Sequence, residues 1–233
     1  MAVFDEELKT LREMVLTLCS MVEHAILDSV KSLADRNADL AKEVIDRDHM
    51  VNALDVKIDE ECIRLIALRQ PVAKDLRFIT TAMKITTDLE RMGDLAVNIA
   101  ERSIELNEEP LFKPYVNIHL MAEITQGMVR DSIDAFVRGC TNIPYDVINK
   151  DDEVDDLTVK NFNELLEYMI RDPKIIPIAI KRTYVAKYLE RIADHATNIA
   201  EMVIYMCKGK IIRHMESPGP EGEDDEWLFL MKS

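Results

Sequence analysis

Glycine is scarce in this sequence. Only six occur in 233 residues, roughly a third of average usage. That leaves little material for tight turns and points to long regular elements with short connections. Basic residues are outnumbered: 29 Lys and Arg stand against 44 Asp and Glu, for a net charge of −15. Such a field disfavours nucleic acid and bare anionic lipid, which need a basic face. It suits a solvated surface, cation binding or docking to a basic partner. No apolar run approaches the ~18 residues of a membrane span. The first residues, Met1 to Glu7, lack the basic and apolar regions of a signal peptide. Cys19, Cys62, Cys140 and Cys207 form no CxxC pair, so reduced, mostly buried thiols in a cytoplasmic protein are expected. There is no Gly-rich phosphate loop, no Gly-x-Ser-x-Gly and no readable His–Cys nucleophile.

What is abundant is helix-forming: Leu, Ile, Met, Ala, Glu and Lys dominate a chain that is 48% hydrophobic. Leu8, Leu11, Val15, Leu18, Val22 and Ala25 recur at steps of three and four, one apolar stripe on a helix. The same reasoning predicts six helices, over about 5–36, 39–69, 72–106, 115–139, 145–170 and 175–207. Gln70-Pro71 ends the second, Asn142-Ile143-Pro144 reads as a turn, Pro177 falls in a first helical turn, and Gly209 stops the sixth. The tail holds Gly, Pro and acidic residues from Ser217 to Asp225, too polar to pack, followed by the apolar Trp227, Leu228, Phe229 and Leu230.

The sequence also repeats. Val44 to Glu61 matches Val147 to Glu164 at an offset of 103, and Leu89 to Glu101 matches Leu189 to Glu201 at an offset of 100. Nine of the thirteen positions in the second block are identical. The expected fold is therefore all-α: two tandem antiparallel three-helix bundles related by internal duplication. The expected domains are 1–109 and 110–210, with 211–233 as an acidic tail.

The repeated block carries a polar stripe. At 100° per residue, Asp94, Asn98 and Glu101 lie within roughly 80° of Glu90 on one helix face. Glu190, Asp194, Asn198 and Glu201 are arranged in the same way. Carboxylates crowded in this way resist ionising together, and a bound cation removes the penalty. Oxygen-rich rows suit hard cations such as Mg, Ca, Mn or iron. Asp48 and Asn52 in one copy, and Asp151 and Asp155 in the other, are each four apart. In an antiparallel bundle they could face the stripe of the next helix and complete a multi-ligand oxygen site. The same stripes could also be solvated faces balanced by Arg91 and Arg191, or packing seams. His195 lies within the second block, opposite Leu95 of the first, and is an accessory ligand candidate. Paired Glu-x-x-His motifs are absent, with only Asp46-x-x-His49 near, which argues against a ferritin-like di-iron oxidase. The thirteen methionines read as core filler.

A duplicated three-helix unit bearing two copies of Glu-Arg-x-x-Asp-x-x-x-Asn-Ile-Ala-Glu resembles the PhoU family of phosphate-signalling accessory proteins. The Asp48–Asn52 and Asp151–Asp155 segments and Gln70-Pro71-Val72-Ala73-Lys74-Asp75-Leu76-Arg77 share the resemblance, which runs from about residue 5 to 208. It implies two three-helix bundles, a homodimer, and metal binding through Glu90, Asp94, Glu190 and Asp194, with iron, zinc, magnesium or manganese all consistent. It further implies a negative regulator of phosphate uptake that links the ATPase of a phosphate ABC transporter to a sensor histidine kinase. Two other classes fit the residues: a metal-dependent hydrolase of a phosphorylated substrate, and a structural helical scaffold.

Overall fold

The structure, a computed structural model, describes residues 2–110, 117–139 and 142–209. Six helices account for almost all of them: α1 (Ala2–Ala34), α2 (Ala38–Arg69), α3 (Ala73–Asn107), α4 (Ile118–Arg138), α5 (Ile143–Arg171) and α6 (Ile176–Lys208). A short 3-10 turn, Pro173–Ile175, leads into α6. The expected helices are all present, with ends shifted by a few residues. Tyr115 and Cys140, the linker around Pro114, and the C-terminal acidic and apolar clusters lie outside the described residues.

Local chemistry accounts for the boundaries. Asn37 begins α2 by accepting hydrogen bonds from the amides of Asp39 and Leu40. Gln70 ends it in the left-handed region, at φ 48°, since the ring of Pro71 bars an ordinary helical conformation before it. The expected turn at Asn142-Ile143-Pro144 is instead the start of α5, with Pro144 in the first turn, where a missing N–H costs nothing. Gly209, at φ 68°, closes α6 through its amide on the Tyr205 carbonyl.

Most of the apolar stripe of α1 is inside: Leu11, Val15, Leu18 and Val22 have no exposed surface, nor has Ile26, while Leu8 and Ala25 are only partly buried. Helices α1, α2 and α3 pack on one another, as do α4, α5 and α6. The two bundles are joined by α3 against α6 and α1 against α4, whereas α2 and α5 touch, among the described residues, only helices of their own half. One apolar cluster runs through both halves. Its small members, such as Ala96 on α3 and Ala196 on α6, leave room for close helix approach. Phe78 of α3 stacks on Phe136 of α4, with ring centroids 5.2 Å apart. Burying rings of this kind contributes roughly 1.5–3 kcal/mol each, so the seam is core rather than a loose domain contact. Polar bonds cross it too: Arg77 Nε donates to the Met206 carbonyl at 3.2 Å, Arg130 lies 3.3 Å from Glu23, and Lys181 lies 2.8 Å from Glu109.

Candidate metal centre

The outer helices carry the acidic pairs and the inner helices the stripes, so each half places one against the other. In the first half, Glu90 and Asp94 of α3 face Asp48 and Asn52 of α2. Gly93 permits the approach. A Cβ there would stand 3.3 Å from Val51 Cγ1 and 3.8 Å from Asp48 Oδ1. Asn52 Nδ2 donates to Asp48 Oδ2 at 2.8 Å, while Asn52 Oδ1 is buried and takes no hydrogen bond. Burial raises the carboxyl of Asp48 above its ordinary range, and Asp94 adds repulsion that the Asn52 bond partly offsets. Burial likewise raises Glu90, and Asp94, Asp55 and Asp48 add to it against the opposing charge of Arg91. Arg91 is mostly exposed, 3.5 Å from Glu90 and 3.8 Å from Asp94, so its compensation is weak.

The second half repeats the design with a change of charge. Asp151 is pushed up to about 6, by burial first and then by Asp194 and Asp155. Burial also raises Asp155, with Glu190 adding to it and Lys187 opposing. Asp194 rises by burial and by Asp155, opposed by Lys187, His195 and Arg191. Lys187 Nζ forms a short ion pair with Glu190. Its equivalent in the first half is Thr87.

The structure thus brings together Asp48, Asn52, Glu90 and Asp94 in one cluster, and Asp151, Asp155, Glu190 and Asp194 in the other. The far ends of the stripes lie apart. Glu101 is exposed and 3.8 Å from its neighbour Arg102. It is seven residues beyond Asp94, about 10 Å along the axis, too far to share an ion with Glu90. Asn98, Asn198 and Glu201 are partly buried on the same faces. His195 is no accessory ligand of its stripe. It lies about 140° round the helix from Glu190 and crosses the seam, where Nδ1 meets Asp88 Oδ1 at 2.7 Å. The repeat equivalents of that pair are Leu95 and Tyr188, members of the shared apolar cluster. Sequence reasoning missed Asp55 and Lys187. Each adjoins a cluster, and each has a threonine, Thr158 or Thr87, at the equivalent position.

Among the described residues, no three His, Cys, Asp or Glu side chains converge as an ion's shell. Lys187 and Arg91 hold Glu190 and Glu90 instead. The donor chemistry nonetheless fits a hard cation. Each cluster is carboxylate-rich; Asp48, Asn52, Glu90 and Asp94 are all partly buried, whereas Asp155 and Asp194 of the second cluster are exposed, and the orphaned Asn52 Oδ1 adds a neutral oxygen to the first. The thiols do not fit a role here: burial pushes Cys19 and Cys62 up to about 12, which leaves them inert.

A doubled three-helix bundle with a carboxylate cluster in each half defines a class of helical repeat protein. The PhoU domain family matches it at residues 15–103 and again at 118–203, and the chain belongs to that family. It is 47% identical over 209 residues to the phosphate-specific transport system accessory protein PhoU homolog of Aquifex aeolicus, covering 90% of this chain and 95% of that one. It is 34% identical to the PhoU accessory protein of Escherichia coli, covering 91% and 88% respectively. The crystal structure of PhoU from Pseudomonas aeruginosa superposes with a TM-score of 0.86 at 38% identity, over 89% of this chain and all of that one. The phosphate transport system regulatory protein PhoU of Streptococcus pneumoniae gives 0.84 at 29% identity, over 89% and 98%.

Proposed function

We propose that this protein is a metal-binding regulatory adaptor of a phosphate transport system. It links the transporter's ATPase to a sensor histidine kinase and keeps the starvation response silent while phosphate is ample. The observation that carries the reading is the family match over both halves, with relatives named as accessory and regulatory proteins of phosphate transport. The chain works from the cytoplasm as a homodimer and through its surfaces rather than by turnover. An exposed apolar face supports docking: Val159, Phe162, Leu166 and Ile170 lie within about 80° of one another on α5 and are 40–74% exposed, as interaction faces are.

Metal binding supports the same role. Glu90, Asp94, Asp48 and Asn52 would hold one cation, and Glu190, Asp194, Asp151 and Asp155 another, iron, zinc, magnesium or manganese. The cation supplies positive charge that relieves carboxylate repulsion and ties an outer helix to an inner one. Elemental analysis of the protein as purified, beside the Asp94→Ala/Asp194→Ala variant, tests the sites; equal metal in both removes the stripes from them. Affinity capture should recover the ATPase or the kinase. Phosphate release from a phosphorylated substrate with added Mn or Mg, abolished by Glu90→Ala, would instead make the protein a hydrolase.

A further inference from the structure

A second site lies at the opposite chemical extreme. A cavity of about 410 Å³ opens where α1, the start of α3, and the ends of α4 and α6 meet. Among the described residues, Arg12, Lys74, Arg77 and Arg138 line it, with Asp75 the one carboxylate. In a chain of net charge −15, a wall with four cations to one anion is the reverse of the surface as a whole. These cations come from three different helices, so no single helical periodicity produces the cluster.

The cations are also under-used. Arg12 holds its guanidinium 5.1 Å over the Phe78 ring, and its Nε is buried with no hydrogen-bond partner. Among the described residues, Arg77 bonds only through Nε, to the Met206 carbonyl. Lys74 has no carboxylate within ion-pair distance among the described residues. Arg138 is paired with Asp134 at 3.0 Å but is mostly exposed, and such pairs exchange readily. The first turn of α3, which supplies Lys74 and Asp75, has no side-chain cap, so its amides add partial positive charge. At the ends of α4 and α6 the Gly139 and Gly209 amides take one carbonyl each, those of Ala135 and Tyr205. Phe78 and Phe136 form a floor too buried to stack on a ligand, so recognition falls to the cationic rim.

We infer that this cleft binds a small polyanionic phosphate compound, a phosphate ester or polyphosphate. Guanidinium forks match phosphoryl oxygens in pairs. A cavity of this volume lies in the range of organic ligands and exceeds what a lone phosphate ion fills. The inference is independent of the carboxylate clusters and of their metals.

Titration calorimetry on the full chain, dialysed first against a chelator and then into plain low-salt buffer, isolates the cleft from any metal-bound phosphate. ATP and tripolyphosphate serve as probes, with orthophosphate as the small reference. One saturable site per chain is expected for at least one of the two probes, with orthophosphate weaker. Arg77→Gln should weaken it at least tenfold, Lys74→Glu should do the same, and Arg47→Gln, on α2, should leave it unchanged. Lys74 is exposed, so its variant keeps the test alive if Arg77→Gln unfolds, as circular dichroism would reveal. Tighter binding of ATP than of tripolyphosphate assigns an ester, and the reverse a polyphosphate. No saturable binding by either probe, or binding unchanged by Lys74→Glu, overturns the inference. Orthophosphate binding as tightly as tripolyphosphate overturns the size assignment.

Discussion

The carboxylate cluster between α2 and α3 and its counterpart between α5 and α6 come from one duplicated block, yet their charge is balanced differently. The first has Asp55 nearby, with the exposed Arg91 and His49 to oppose its repulsion. The second has Lys187 seated on Glu190 and a further cation in Arg191. The first has Gly93 against α2, and a cavity of about 210 Å³ that includes Asp48 in its wall. The second has Ala193, fully buried. Duplication kept three carboxylates in each cluster but set Asn52 against Asp155, while neighbours that are not repeated set the charge around each. On the proposed metal-binding reading, the first cluster is expected to hold its cation more tightly.

The largest expected effect is on metal content. Glu90→Ala with Asp94→Ala should remove the tighter ion, and Glu190→Ala with Asp194→Ala the weaker one, each lowering affinity at its own site by about 100-fold or more. Equilibrium dialysis with elemental analysis reads both, and loss of both ions from either pair would break the picture of two separate sites. Next, Lys187→Ala should raise affinity at the second cluster by about tenfold, since a neighbouring opposite charge is worth at least one pKa unit to a carboxylate. An unchanged affinity would mean that the ion pair does not compete with metal.

His195→Leu copies the first half into the second and leaves Asp88 without its partner. A loss of about 1–2 kcal/mol is expected, read as a Tm lowered by a few degrees. A smaller shift follows from Asp151. Its carboxyl is pushed up to about 6 in the fold, against an ordinary value of 3.8, so between those values the native state holds more protons than the unfolded one. Stability of the metal-free protein should then rise as pH falls through 6 toward 4 and be reduced above 6. Asp151→Asn should flatten that dependence and raise Tm at pH 7 by about 2–4 °C. The smallest effect is that of Gly93→Ala. Helix propensity favours it by roughly 1 kcal/mol, while the 3.3 Å approach to Val51 opposes it, so a Tm within about 2 °C of the parent is expected.

Helix number, duplication and the two repeated carboxylate stripes were legible in the sequence because they rest on periodicity and repetition. Asp55, Lys187 and the Asp88–His195 pair were not. A repeat search keeps what the halves share, and these residues are what they do not share. The angle of His195 was available from helical geometry, but only the position of α6 against α3 reveals what that face meets. The basic cleft was hidden for a related reason: Arg12, Lys74, Arg77 and Arg138 are scattered along the chain and meet only at one end of the fold.

The seam between α3 and α6 has one more consequence. Position 77 meets 206 and position 88 meets 195, so the helices run antiparallel, and exchanging the halves returns 88 and 195 to 188 and 95, opposite one another again. That is the signature of a two-fold axis passing through a single chain. The molecule has the form of a symmetric dimer of three-helix subunits fused into one chain. Fusion freed each subunit to carry a residue its twin lacks, and Asp88 and His195 are such a pair, an asymmetric lock that two identical subunits could make only in duplicate.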